Sequence, residues 1–404
     1  MTTPLTTASE VNDWTAEGQR YLMNTGRRAP ITIVRGEGSR VWDDTGKTYL
    51  DFLAGLAVLA LGHSSPVVLE ALRRQGEELI LVADTVWSVP QVKLAKRLTE
   101  LSGMHKVFFC NGGAEANEAA LKIARKYGKL HKEGAFEVIS TDNSFHGRTM
   151  GATAATGTAK YREPFEPLVP GFSFVPFGDI EAIKAATTAA TCAVIIEPIQ
   201  GEAGINIPPD GYLIELRQWC DEQNMALILD EVQTGIGRTG KMFAFEHEGI
   251  KPDILTLAKA LGGGVPVAAT LVNEKFDVFE PGDHGNTFGG NNLMTSVALA
   301  VIDYIVDNDL IEESATRGEY MLAKLRSLED RYEFVKEARG RGLMCAIELD
   351  NGKAGDVMQV CLENGLIMGQ VRDHVLRMLP PLTVTTDEID EAIAILDRAL
   401  ASVE

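Results

Sequence analysis

Lys259 sits between apolar residues and three consecutive glycines, Gly262, Gly263 and Gly264, at the end of the run Leu255 to Ala258. A surface lysine extends its ammonium into water, but glycines beside it let another molecule approach the backbone closely. An amine partly desolvated there loses basicity and becomes a competent nucleophile towards a carbonyl. Asp230 lies 29 positions earlier (259 − 230), where Ala226 to Leu229 ends in Asp230-Glu231-Val232-Gln233-Thr234-Gly235. This puts a carboxylate at a sheet edge where a bound heterocycle would lie. On its own, an acid at a strand end is a cap or a loop-solvating residue. Upstream, Val107 to Cys110 runs into Asn111-Gly112-Gly113-Ala114-Glu115-Ala116-Asn117, and Glu118 to Tyr127 reads as a helix. Small residues at a helix start leave backbone N–H groups and the positive dipole end free for an anion, although glycines there are by themselves ordinary turn residues.

The elements that must position these groups follow a βα rhythm. Pro90 to Leu101 is amphipathic with proline at its start, and Lys106 to Cys110 is a short apolar strand. Further short runs rich in Val, Ile and Leu follow at Phe136 to Ser140, Phe172 to Val175, Cys192 to Glu197 and Met225 to Asp230. Such runs suit a mostly parallel sheet covered on both faces, and in open α/β sheets ligands gather beyond the carboxyl ends of the strands. We therefore expect an α/β fold with a large domain over 61–290. A smaller α+β domain over 291–404 begins with the apolar helix Leu293 to Val306, has strands at Gly342 to Leu349 and Val375 to Met378, and closes with a capping box, Thr385 and Glu388. Residues 1–60 read as an arm, with a hairpin from Val41 to Asp51 around Asp44-Thr45-Gly46, packing with the small domain.

Composition narrows the partners. The 404 residues carry 38 basic and 57 acidic side chains, so 38 − 57 gives −19. A chain this acidic, with its basic residues scattered, repels nucleic acid and anionic membrane surfaces. Five cysteines, none spaced CxxC, signal neither a disulfide framework nor a zinc site, and no metal is expected. Met1 to Glu10 lacks the pattern of a leader, and Phe52 to Leu61 is too short to span a bilayer. A cytoplasmic protein is expected. His63, His146 and His284 stand beside glycines in turns and read as structural or supporting. Glu197, closing an apolar strand, reads as a hydrogen-bond acceptor behind the site. The GxGxxG of Gly235 to Gly240 has no helical pattern after it and is not a dinucleotide fingerprint.

A phosphate cradle, a strand-end acid and a boxed lysine together equip a protein for pyridoxal 5'-phosphate: lysine on the aldehyde, aspartate on the ring nitrogen, phosphate on a helix start. The collinear segments Gly36-Glu37-Gly38, Phe108 to Glu118, Ser144 to Thr149, Glu197 to Gly204, Leu229 to Gly240, Leu257 to Gly264, Asn286 to Asn291, Arg339 to Met344 and Leu376 to Leu382 resemble the class III, ornithine-type aminotransferases over nearly the whole chain. The resemblance implies the fold type I architecture of pyridoxal-phosphate aminotransferases and a homodimer whose active site is shared between subunits. It also implies that Lys259 holds the cofactor and shuttles a proton, and that Asp230 keeps the ring nitrogen protonated. Phe145 and Val232 would flank the ring, and Gln233 would reach its hydroxyl. The backbone of Gly112, Gly113 and Ala114 would hold the phosphate, with Thr287 of the neighbouring subunit. Arg148 and Arg377 would receive carboxylates, Arg377 in alternation with Glu202.

The reaction that this resemblance implies moves the terminal amino group of N2-acetylornithine, or a similarly acylated diamino acid, to 2-oxoglutarate, in arginine or another amino-acid biosynthesis. Another ω-aminotransferase, using ornithine, 4-aminobutyrate or a specialised amine, is the alternative. A nicotinamide-dependent oxidoreductase has no use for a boxed lysine paired with a strand-end aspartate. The chain departs from the family pattern at Gly112, where serine is common, at Leu59 and Ser65, at Asp84 to Trp87, and at Asn292. The changes at 59 and 84–87 fall where relatives build the substrate entrance.

Overall fold

The computed structural model describes residues 13–350 and 352–403; Met1 to Glu10, read above as lacking a leader, lies outside the described residues. A seven-stranded sheet occupies the centre, in the order Lys106–Cys110, Ala268–Val272, Ile254–Leu257, Ala226–Asp230, Thr191–Ile196, Glu137–Thr141, Phe172–Val175. From Ile254–Leu257 to Phe172–Val175 all neighbours are parallel, whereas Ala268–Val272 runs antiparallel to both strands beside it. The strands Thr191–Ile196, Ala226–Asp230 and Ile254–Leu257 are buried at every position. That burial explains why they read as unbroken apolar runs and not as alternation.

Each strand expected in this region is present, within about a residue at its ends. The helix after Lys106–Cys110 differs: it spans Gly113–His131 and so starts well before Glu118. Glycine is a poor helix former, so Gly113 hides the first turn in the sequence. Gly112, extended at φ −147° and ψ 161°, is the residue that starts it.

The N-terminal strands Ile33–Glu37, Arg40–Asp43 and Thr48–Asp51 form an antiparallel meander. Its last turn is tied by Asp43, whose Oδ1 accepts the Thr45 and Lys47 amides at 3.0 and 2.9 Å. A strand from the far end of the chain, Leu366–Ile367, adds parallel to Thr48–Asp51, with Leu366 opposite Leu50. This ladder joins the N-terminal meander to a strand late in the sequence. A third sheet runs Val335–Arg341, Met344–Leu349, Val375–Met378, Gly369–Val371, all antiparallel. Its first strand escaped the sequence reading because only Val335 and Ala338 face the core, among charged neighbours.

The helix Asn292–Asp307 packs on Pro66–Glu78 and Val89–Ser102 and also meets Leu310–Glu329. The final helix, Thr386–Val403, opens on the expected capping box: Glu388 Oε2 accepts the Thr385 amide at 2.9 Å, and Thr385 Oγ1 accepts the Glu388 amide at 3.2 Å. Ile389, Leu396 and Leu400 are fully buried on one face. No helix among the described residues is long and apolar enough to cross a membrane.

Candidate active site

Beyond the carboxyl ends of the parallel strands lies a cavity of about 480 Å³ that gathers Gly112, Gly113, Ala114, Phe145, Arg148, Glu202, Asp230, Val232, Gln233 and Lys259 in its walls. Sequence positions spread over roughly a third of the chain therefore meet in one place. Arg377 reaches the same wall through Glu202.

Lys259 opens the short turn Lys259–Gly262 after the strand Ile254–Leu257. Its backbone is held at φ +44°, a left-handed conformation that costs a non-glycine residue of order 1–3 kcal/mol and is retained chiefly at functional sites. Burial lowers the amine from its ordinary value, with Arg377 adding to the effect; Glu202, Asp230 and Glu197 oppose it. Lowered basicity is what a nucleophilic amine needs.

Asp230 is buried and held by three partners, with one acceptor position on Oδ1 left over. Its Oδ2 accepts from Asn117 Nδ2 at 2.7 Å and lies 2.7 Å from His146 Nδ1, and its Oδ1 accepts the Val232 amide at 3.1 Å. Asn117 is itself oriented: Thr256 donates its hydroxyl to Asn117 Oδ1 at 2.8 Å, leaving the amide nitrogen to serve Asp230 and the His146 carbonyl. His146, read in the sequence as structural or supporting, is one of the groups that fix the acid. Asn117 was not singled out, because an asparagine inside a helix carries no signal until the fold buries it; it is 1% exposed.

Glu197 accepts the amides of Phe145 at 3.1 Å and Gly201 at 3.3 Å. Burial pushes its carboxyl up to about 7, with Asp230 adding to the rise and His146 opposing it. The Glu197 side chain thus pins Phe145 and the Gly201-Glu202 loop to one point. Both polar atoms of the Gln233 amide are buried without a partner, and a Cβ on Gly201 would come within 1.8 Å of Gln233 Oε1. Glycine at 201 is what lets Gln233 lie there. Across the cavity, a Cβ on Gly113 would meet Val232 Cγ1 at 2.8 Å, whereas one on Gly112 would meet nothing within 4 Å.

The two arginines are held differently. Arg377, 3% exposed, donates from Nη1 to Glu202 Oε1 at 2.8 Å and to the Gly201 carbonyl at 3.1 Å. Burial works to raise the Glu202 carboxyl, but Arg377, with Lys259 and Arg148 beyond it, brings it below its ordinary value. Arg148 is exposed at the cavity wall and has no ion-pair partner among the described residues; its guanidinium carbon lies 3.8 Å from the centroid of the Tyr161 ring. Thr287 is exposed and stands outside the cavity of its own chain.

The residues fit pyridoxal 5'-phosphate. The Gln233 amide is buried without a partner, the 19-residue helix starts at Gly112–Gly113 with open space beside Gly112, and Val232 and Phe145 both line the cavity.

Comparison with known proteins points the same way. The sequence pattern of the family described as aminotransferase class-III matches residues 21–400. An acetylornithine aminotransferase of Caldanaerobacter subterraneus subsp. tengcongensis is 48% identical over 386 residues, covering 95% of this chain and 98% of the relative. One of Methanocaldococcus jannaschii is 48% identical over 398 residues, covering 97% and 99%. Among solved structures, an ornithine aminotransferase of Toxoplasma gondii, crystallised with oxidised glutathione and showing partial occupancy of pyridoxal phosphate at its active site, superposes with a TM-score of 0.93. It is 36% identical, covering 96% of this chain and 94% of the other.

Proposed function

The chain belongs to the class-III aminotransferases, and from that premise we propose that it transfers the terminal amino group of N2-acetylornithine, or of a similarly acylated diamino acid, to 2-oxoglutarate. Pyridoxal 5'-phosphate is the cofactor and a homodimer the working unit. The observation that carries this reading is the meeting in one cavity of an amine of lowered basicity, Lys259, an engaged acid, Asp230, and Arg148, which has no ion-pair partner among the described residues, with Arg377 held behind the wall by Glu202.

When bound, the cofactor supplies an aldehyde that condenses with amines and a protonated ring that withdraws electrons from the neighbouring C–H bond. Lys259 Nζ would hold that aldehyde and, as a base of lowered basicity, would take the proton from the amino-bearing carbon. Asp230, kept in place by Asn117, His146 and the Val232 amide, would hold the proton on the ring nitrogen. Phe145 and Val232 would exclude water from the ring faces, Gln233 would bond the ring hydroxyl, and the amides of Gly112, Gly113 and Ala114 would bind the phosphate at the positive end of the helix.

The arginines solve a problem of two differently shaped substrates. In the first half-reaction the reacting carbon of the donor carries no carboxylate; in the glutamate half-reaction it does. An unpaired Arg377 near that carbon would draw in the wrong end of the donor. Glu202 covers it during the first half-reaction and releases it to the α-carboxylate in the second, while Arg148, at the outer wall, receives the distant carboxylate of the acylated donor.

The homodimer is supported by Thr287, which in its own chain reaches no site. The exposed apolar side chains of Trp87, at 92%, and of Val86, Val89 and Phe288, together with the helix Trp14–Tyr21, which buries none of its residues, support it further. The reading is tested by a panel of amino donors assayed with 2-oxoglutarate. N2-acetylornithine should give the highest kcat/KM; a preference for unacylated ornithine or 4-aminobutyrate would move the chain to another donor class, and no glutamate from any ω-amine would overturn the reading.

A further inference from the structure

We propose that Tyr161 is a positioning residue for the amino donor: its ring is the platform that holds the Arg148 guanidinium ready for a carboxylate. The inference rests on the reading of Arg148 as the group that receives the donor's carboxylate. A long, exposed arginine is a poor receptor when it is free to sample many rotamers, because binding must then order it. An ion pair would order it but would also occupy the edge that the substrate needs. Stacking on an aromatic face orders the guanidinium while leaving its in-plane N–H donors available. That arrangement is present here. The Arg148 guanidinium carbon lies 3.8 Å from the Tyr161 centroid and 5.2 Å from that of Phe145, and the two rings meet edge to face at 5.9 Å. The Lys160 ammonium also lies 5.1 Å from the Tyr161 centroid, adding positive potential on the same ring.

Platform and cation share one frame. Tyr161 lies in the short helix Ala159–Arg162, and its amide donates to the Thr158 carbonyl at 3.0 Å. Thr158 Oγ1 in turn donates to the Ser144 carbonyl at 3.3 Å, and the Gly157 amide to Ser144 Oγ at 2.9 Å. Ser144 begins the segment that carries Phe145 and Arg148, so the ring and the guanidinium that it holds are anchored to the same residue. The site thus keeps its two arginines by opposite means: Arg377 by an acid that must be displaced, Arg148 by a ring that need not be.

The test uses the holoenzyme and the variants Tyr161→Leu, Tyr161→Phe and Arg148→Ala. Loss of the cation–π contact should lower kcat/KM for N2-acetylornithine on the order of ten-fold in Tyr161→Leu, mostly through KM. Binding of N2-acetylnorvaline, which keeps the carboxylate but lacks the terminal amine, should weaken in parallel by calorimetry. Tyr161→Phe keeps the face and should stay within about two-fold, a contact of this kind resting on the ring and not the hydroxyl. The carboxylate-free amine putrescine should react in Tyr161→Leu as in the parent. If Arg148→Ala leaves N2-acetylornithine unaffected, the reading of Arg148 fails. If Arg148→Ala is costly but Tyr161→Leu is not, the platform fails on its own. Equal losses with N2-acetylornithine and putrescine would mean that Tyr161 acts through Phe145 or through folding, which also overturns the proposal.

Discussion

Gly112 shows how a single missing side chain can be read as a handle on cofactor affinity. It precedes the helix Gly113–His131 in an extended conformation, makes no side-chain cap and has open space where a Cβ would stand. Serine fits that backbone without strain and is among the preferred residues there. Gly112→Ser should therefore tighten cofactor retention by about 0.5 to 1.5 kcal/mol, the net worth of one hydrogen bond, measured as slower loss of pyridoxal phosphate on dialysis; equal or faster loss would show the site already satisfied. Glu202→Ala leaves Arg377 uncovered. It should slow the ω-amine half-reaction on the order of ten-fold or more, since breaking a buried pair costs about 3–5 kcal/mol, while the glutamate half-reaction is spared. Single-turnover absorbance of each half-reaction decides it, and equal losses in both would reduce the pair to a structural bridge. At this scale the sequence was legible where a residue type is costly in its setting: a lysine boxed by glycines and an acid at a strand end announce themselves. Asn117 and Tyr161 did not, because a buried amide and a ring that carries a cation look in sequence like any helix asparagine or packed aromatic.

Elements set the electrostatics that single residues cannot. Glu197 follows one parallel strand and Glu231 the next, and burial pushes each carboxyl up to about 7 from 4.5. A carboxyl raised in the folded state binds a proton that the unfolded chain has released, so between about 4.5 and 7 the folded state holds more protons and stability falls as pH rises; above 7 this contribution levels off. Lys259, lowered by burial, works in the opposite sense on the alkaline side, up to 10.5. His247, pushed down by burial to about 4 from 6.5, works against the carboxyls over part of their window, but two carboxyls outweigh one imidazole, so urea unfolding of the cofactor-free protein should show a declining midpoint from pH 5 to pH 7. Glu197→Gln, neutral throughout, should flatten part of that slope, at a cost from the lost acceptor that does not vary with pH. A midpoint that rises over this interval, or a slope untouched by the variant, would contradict the assignment. The element scale was also where the sequence read most cleanly. Fully buried parallel strands give unbroken apolar runs, whereas Val335–Arg341, with two core-facing residues among charges, offered no periodicity to find.

The whole molecule poses the question of what covers its apolar exterior. Trp87, Val86, Val89 and Phe288 are exposed together with the arm helix Trp14–Tyr21, and Thr287 reaches no site in its own chain. The two-fold assembly proposed above accounts for both facts. Trp87→Asp should shift the solution mass from dimer to monomer and abolish most transamination; a variant that stays dimeric, or a monomer with full activity, would contradict a shared site. The sequence placed Asp84 to Trp87 at the substrate entrance and not on an apolar exterior, since exposure is a property of the folded chain. The account turns most directly on Lys259. Incubating the protein with pyridoxal 5'-phosphate, reducing with borohydride and mapping the peptides by mass spectrometry should place the cofactor on the peptide that contains Lys259, with the label lost in Lys259→Ala. Label on a different lysine, or a protein that takes up no cofactor, would contradict it.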